Sequence, residues 1–218
     1  MHKYDIQNWM VQNKLQLNEG KTEAFLVQVV AISYSDKDLP ASIQIGSSVV
    51  PFVKSFRNLG VILDSRLSMK EHINKVSQMV YWEIRRISSI RQYLTEDAAK
   101  TLAVSLVLSR LDYVNCLLAG VPECLLHKLQ TIQNASTRLI LKSSRQEHTK
   151  PLLKALHWLP ISGRITYKLS CMCYNSVTAS TPQYLADHLQ IYTPSRTLRS
   201  TTDTRKLKIP LFKKKYSG

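Results

Sequence analysis

The sequence predicts an α+β beginning followed by a mainly α-helical remainder. Three observations carry this expectation. Up to about residue 66, short β-branched and aromatic runs alternate with turn residues. From Ser68 onward, apolar residues recur at helical spacing. With only 6 Gly and 8 Pro in 218 residues, the chain is too poor in breakers to be loop-rich. A hydrophobic fraction of 44% and 21% charged residues also exclude a wholly disordered chain.

Residues 7–17 have helical spacing through Trp9, Met10, Asn13 and Leu17, and Asn18-Glu19-Gly20 supplies a stop with a C-cap glycine. Residues 24–32 read as a buried strand. Residues 42–45 and 49–53 flank Gly46-Ser47-Ser48 as a short hairpin, and residues 57–63 add one more strand-like run. Then Ile73, Val76, Val80, Ile84 and Ile87 recur at spacings of 3 and 4, within roughly 40° of one direction on a helix. Lys75, Trp82, Arg85 and Arg86 project to the other side. Such a face is a solvated helix surface or a phosphate-binding surface with a stacking ring.

Thr95 can cap a second helix that carries Leu102, Leu106 and Tyr113 toward Gly120, with Glu96 and Asp97 at the positive end of its dipole. Pro122 fits the first turn of a third helix, whose core face is Leu125, Leu129, Ile132, Leu139 and Ile140. Shorter helices are expected over 152–157, 161–177 and 182–189. Beyond Tyr192 the chain loses its apolar period and is expected to be extended or disordered.

The formal net charge is +15, with 30 Lys and Arg against 15 Asp and Glu. A folded chain this basic commonly faces a polyanion. Residues 1–56 are neutral overall, 57–100 and 101–150 each carry +3, and 151–218 carry +9. The partner-facing surface is therefore expected in the last third and, more weakly, on the middle helices. The four cysteines, Cys116, Cys124, Cys171 and Cys173, form no C-x-x-C pair and suit reduced thiols. No signal core is present, and the apolar run over 24–32 is too short to span a bilayer. An intracellular location, cytoplasmic or nuclear, is expected.

Gly20-Lys21-Thr22 resembles the end of a phosphate-binding loop, but Leu15 stands where that loop needs its first glycine. Asp36-x-Asp38 could share a hard cation, although a solvated loop is the simpler account. The six histidines are dispersed, and no nucleophile–base spacing stands out. The residues themselves reach a basic, mixed and then helical, polyanion-binding chain.

A family resemblance goes further. Trp9-Met10-x-x-Asn13-Lys14-Leu15-x-Leu17-Asn18-x-x-Lys21-Thr22-Glu23 resembles the segment after the catalytic aspartates of reverse transcriptases from non-long-terminal-repeat retrotransposons. Phe56-x-x-Leu59-Gly60-Val61-x-Leu63-Asp64, closing on His72-Ile73, is similar to their primer-grip hairpin. Ser109-Arg110-Leu111-Asp112-Tyr113 with Asn115, then Leu129-x-x-Ile132-Gln133-Asn134-Ala135, resemble their thumb helices. Leu156-His157-Trp158-Leu159-Pro160-Ile161, Arg164-Ile165, Tyr167-Lys168 and Pro194-Ser195-Arg196-x-Leu198-Arg199-Ser200 extend the likeness over roughly residues 7–210. Jockey-like and chicken-repeat-like elements are the nearest in pattern.

The resemblance implies a palm remnant with primer grip over 1–66, a helical thumb over 67–145, and a basic post-thumb region over 146–218. It implies template–primer binding, as RNA–DNA hybrid or duplex, and no membrane. Family members polymerise with two Mg²⁺ held by an early aspartate and a Tyr-x-Asp-Asp pair. This sequence has no Asp-Asp dipeptide and begins just after where that pair would lie. No retained cofactor or metal site, and no polymerase activity of this chain alone, is therefore expected. Lys21 matches a lysine near the incoming triphosphate. Leu59 and Gly60 would press on the primer, with Gly60 allowing close backbone approach. Lys75, Trp82, Arg85 and Arg86 would meet the duplex backbone. Arg196, Arg199 and the tail cations Lys213, Lys214 and Lys215 would add phosphate contacts. His157-Trp158 is expected to face the core as a pair. The strands before residue 56 are expected to anchor the hairpin, so that a chain lacking residues 1–55 aggregates. The other functional class is a non-catalytic nucleic-acid-binding or helical interaction module.

Overall fold

The computed structural model describes residues 3–16, 18, 21–27, 41–45, 48–192 and 206–208. A first helix, α1 (Lys3–Gln12), precedes five strands: β1 (Ala24–Phe25), β2 (Ser42–Ile45), β3 (Ser48–Val53), β4 (Ser55–Asn58) and β5 (Val61–Asp64). The helices that follow are α2 (Lys70–Ile90), α3 (Glu96–Ala103), α4 (Ser109–Asp112), α5 (Glu123–Leu141), α6 (Thr149–Ala155), α7 (Ile161–Ala179) and α8 (Gln183–Ala186). The α+β beginning and helical remainder are both present.

The strands form two separate sheets. β2 and β3 pair antiparallel as the expected hairpin, with Ile43 opposite Val50 and Gln44 opposite Val49, but Ser48 is already in β3, opposite Ile45, and not in the turn. β1 joins the other edge of β3 in parallel, Ala24 opposite Phe52. Of the strand expected over 24–32, only Ala24–Phe25 is a strand, and residues 28–32 lie outside the described part. The run expected over 57–63 is not one strand but two. β4 and β5 pair antiparallel, Asn58 opposite Val61, around Leu59 and Gly60. Both turn residues have positive φ, 46° and 87°, as a two-residue hairpin matched to strand twist requires.

α1 also differs from expectation. It spans Lys3–Gln12 and not residues 7–17, because Lys14 already takes a left-handed φ of 55° and the N–H of Leu15 donates back to Met10 O. The helical core follows the predicted period more closely. Ile73, Val80 and Ile87 of α2 are almost inaccessible, and they pack with Val107, Leu111, Leu129 and Ile132. Thr95 caps α3 as expected, its hydroxyl accepting from Ala98 N at 3.2 Å. The second helix does not run on to Gly120. A π-helical turn, Val104–Leu108, interrupts it, and it stops at Asp112, leaving Tyr113 half exposed and not in the core. The buried side chains there are Ala99, Ala103, Val107, Leu108 and Leu111.

The β4–β5 hairpin is anchored by helices as well as by the preceding strands. Val61 is part of the helical core, Ile62 N donates to His72 Nδ1 at 3.4 Å, and Tyr113 OH donates to Leu59 O at 2.5 Å. A ring contact between Phe25 and Phe56, with centroids 4.5 Å apart, ties the first sheet to the hairpin.

Candidate nucleic-acid interface

The outer face of α2 is built by the same period that buries its inner face. With Val80 inward, positions 75, 78, 82 and 85 fall on the opposite side. Lys75, Gln78, Trp82 and Arg85 line that side, and Trp82 shows 64% of its surface. The indole stands as a ridge between two shallow clefts. One, of about 460 Å³, is bordered by Gln78, Tyr81 and Arg85. The other, of about 310 Å³, is bordered by Lys75, Met79, Glu83 and Arg110. Lys75 and Arg85 make no ion pair or hydrogen bond among the described residues.

Arg86 behaves differently. Its guanidinium donates to Glu83 Oε2 at 3.1 Å, while Arg110 from α4 donates to Glu83 Oε1 at 3.2 Å. Glu83 is only 8% exposed, so the two arginines compensate a carboxylate taken largely out of water. Of the three cations expected to meet phosphates, Arg86 is thus engaged within the fold, and Lys75 and Arg85 stay free. Arg110, Tyr81 and Gln78 escaped the sequence reading of this face. Tyr81 stands at the edge of this face, 100° from both the buried Val80 and the exposed Trp82, so period alone did not assign it. Arg110 was not legible, because its place depends on the crossing of α4 over α2.

Leu59, 83% exposed, forms the tip of the β4–β5 hairpin. Gly60 is accounted for by the turn: its φ of 87° disfavours any side chain, whereas a Cβ there would meet Tyr113 only at an ordinary 3.6 Å. Lys21 sits exposed in a turn closed by its N–H donating to Asn18 O at 3.1 Å, and its ammonium has no partner among the described residues. Arg196, Arg199, Lys213, Lys214 and Lys215 lie outside the described residues, as do Asp36 and Asp38.

Two further clusters were missed. Asp64 does not point at a ligand: its carboxylate accepts from Arg66 N, Ser68 N, Ser68 Oγ and Met69 N at 2.9–3.1 Å, bracing the entry to α2. Partial burial raises its pKa, but the hydrogen bonds from Ser68, Arg66 and Met69 outweigh that and hold the carboxyl below its ordinary value. Burial alone depresses His72, which accepts from Ile62 N as the neutral ring. Asp112 takes a bidentate pair from Arg164 of α7, through Nε at 2.7 Å and the second guanidinium nitrogen, an ion pair between helices that spacing could not reveal. The expected His157-Trp158 pair splits. Trp158 packs on the core, whereas His157 is exposed at a φ of 57°.

Among the described residues, no three His, Cys, Asp or Glu side chains gather as metal ligands, and no helix is long and apolar enough to cross a membrane. The chain matches no protein-family model, no curated protein and no solved structure.

Proposed function

We propose that this chain is the template–primer-binding part of a non-long-terminal-repeat reverse transcriptase, without the metal-binding catalytic centre. The reading rests on the quoted motifs, and the observation that carries it is the outer face of α2. There an exposed indole stands between free cations, the combination that binds a phosphate backbone and stacks on bases. The hairpin tip at Leu59 and Gly60 and the cations of the last third would add further contacts. Lys21 would be a cation close to a phosphate, with no chemistry of its own. Polymerisation needs carboxylates that hold two metal ions, and the sequence offers no Asp-Asp pair for them. This chain alone is expected to extend no primer.

The test is titration of labelled RNA–DNA hybrid and DNA duplex at several salt concentrations. Binding should weaken steeply with salt, and Lys75→Ala with Arg85→Ala should flatten the slope of log K by up to about 0.9 for each phosphate no longer neutralised. Arg86→Ala should change the slope less, because Arg86 is paired with Glu83. Salt-independent binding, or no binding, would defeat the reading and favour the alternative of a helical interaction module.

A further inference from the structure

We propose that the groove between α5 and α6 is a docking site for an acidic amphipathic peptide segment of a partner protein. The groove is an open cleft of about 660 Å³, roomy enough for the large side chains of a bound segment. Its floor and wall are apolar: Leu153 is nearly buried, Trp158 is half-buried, and Leu159 and Pro160 are exposed at the lip. Leu159 leaves 48% of its surface in water beside this cavity.

The rim is cationic. Lys150 and Lys154 lie one turn apart on α6, both exposed and without an acidic partner among the described residues. His157, turned by its left-handed backbone, borders the same opening. Around it, residues 138–168 hold seven Lys and Arg against the single acid Glu147, a denser excess than α2 carries.

The polar groups of the wall narrow the occupant. Gln130 spends both amide hydrogens inside the fold: Nε2 donates to Gln133 Oε1 and Asn134 Oδ1, while Oε1 accepts from Ile161 N. Asn134 keeps both amide N–H groups for a newcomer. The groove therefore sets the Asn134 amide N–H groups and the lysine ammonium groups above an apolar floor. A nucleobase would need an exposed ring to stack on, and Trp158 packs against the core. A peptide that places Leu or Phe in the groove and carboxylates on Lys150 and Lys154 satisfies every surface present.

The full chain is to be used as bait for a library of random 12-residue peptides, and selected peptides measured by fluorescence anisotropy. Enriched peptides should combine Asp or Glu with Leu, Phe or Trp. Their affinity should fall at least about tenfold on K150E with K154E, and by less than about threefold on K75E with R85E. Both pairs change net charge equally at exposed positions, so bulk attraction cancels. Replacing the apolar residue of the peptide by Ser should also cost about tenfold. Failure to enrich acidic peptides, equal losses in the two charge-reversed variants, or indifference to the apolar residue would overturn the proposal. So would hybrid or duplex binding that K150E with K154E abolishes and K75E with R85E spares, which would assign the groove to nucleic acid.

Discussion

The three-stranded sheet and the helical region solve the burial problem in opposite ways. In the sheet, Ala24 and Val50 are buried among the described residues, while Ile43 and Val49 stand 46% and 68% exposed. In the helical region, Val80, Val107, Ile132 and Ile140 are fully buried, and the core reaches from Val61 to Ile165. Three short strands cannot cover an apolar face by themselves. A 21-residue and a 19-residue helix packed on each other can. The β4–β5 hairpin, a strand pair, sides with the helices because Val61, His72 and Tyr113 tie it there. Chain order alone would have grouped it with the sheet.

The largest effect should come from breaking the helical region at its one deeply placed arginine among the described residues. Arg91, 8% exposed, follows α2 and forks onto the last turn of α5, donating to Leu139 O at 2.9 Å and Ile140 O at 2.6 Å. A third bond reaches Leu94 O at 2.8 Å. Arg91→Ala leaves these carbonyls unpaired and should cost about 2–4 kcal/mol in urea unfolding. Arg91→Lys should recover little, because an ammonium cannot span two carbonyls in one plane. A loss below about 0.5 kcal/mol in the alanine variant would show that the end of α5 does not depend on this fork.

That arginine also marks where the sequence stops being legible. The faces of α2 and α5 could be read from apolar spacing, and the Thr95 cap and the 42–53 hairpin from local chemistry. Arg91, Gln133, Ser136 and Thr137 are buried through contacts between distant segments, and composition gives a polar residue no reason to be inside. The π-helical turn at Val104–Leu108 interrupted a helix that period alone would run on evenly, and the helix stopped at Asp112. The candidate interface divided in the same way. Lys75, Trp82 and Arg85 share one helix and one period, whereas the pairing of Arg86 and Arg110 on Glu83 needed the α2–α4 crossing.

A middle-sized effect should appear where hairpin and helix join, and it should depend on pH. The Asp64 carboxyl is depressed in the fold, so the stability it supplies is present above the unfolded carboxylate value of about 3.9 and lost as pH falls through its lower native value. His72 is depressed as well, and protonation favours the unfolded chain. Its contribution is intact above about 6.5 and declines as pH falls below that. Asp64→Asn should cost about 1 kcal/mol at pH 7, with the gap from wild type closing at the acid end of a denaturation series. A gap independent of pH would mean that geometry and not charge braces the entry to α2.

The smallest effect on the helical region should come from the join between the two regions. Phe25 meets Phe56 with centroids 4.5 Å apart and planes tilted by 53°, an arrangement worth about 0.5–1.5 kcal/mol beyond burial. Because Phe25 stands on the sheet and Phe56 on the hairpin, Phe25→Ala should loosen the sheet and leave the helices as they are. Amide exchange should quicken at the β1–β3 pairing, around Phe52 and Val53, while protection at Val80 and Ile132 is unchanged. If α2 and α5 lose protection in step with the sheet, the two regions unfold as one unit. The hairpin would then carry that coupling, because Phe56 touches the sheet and Val61 the helical core.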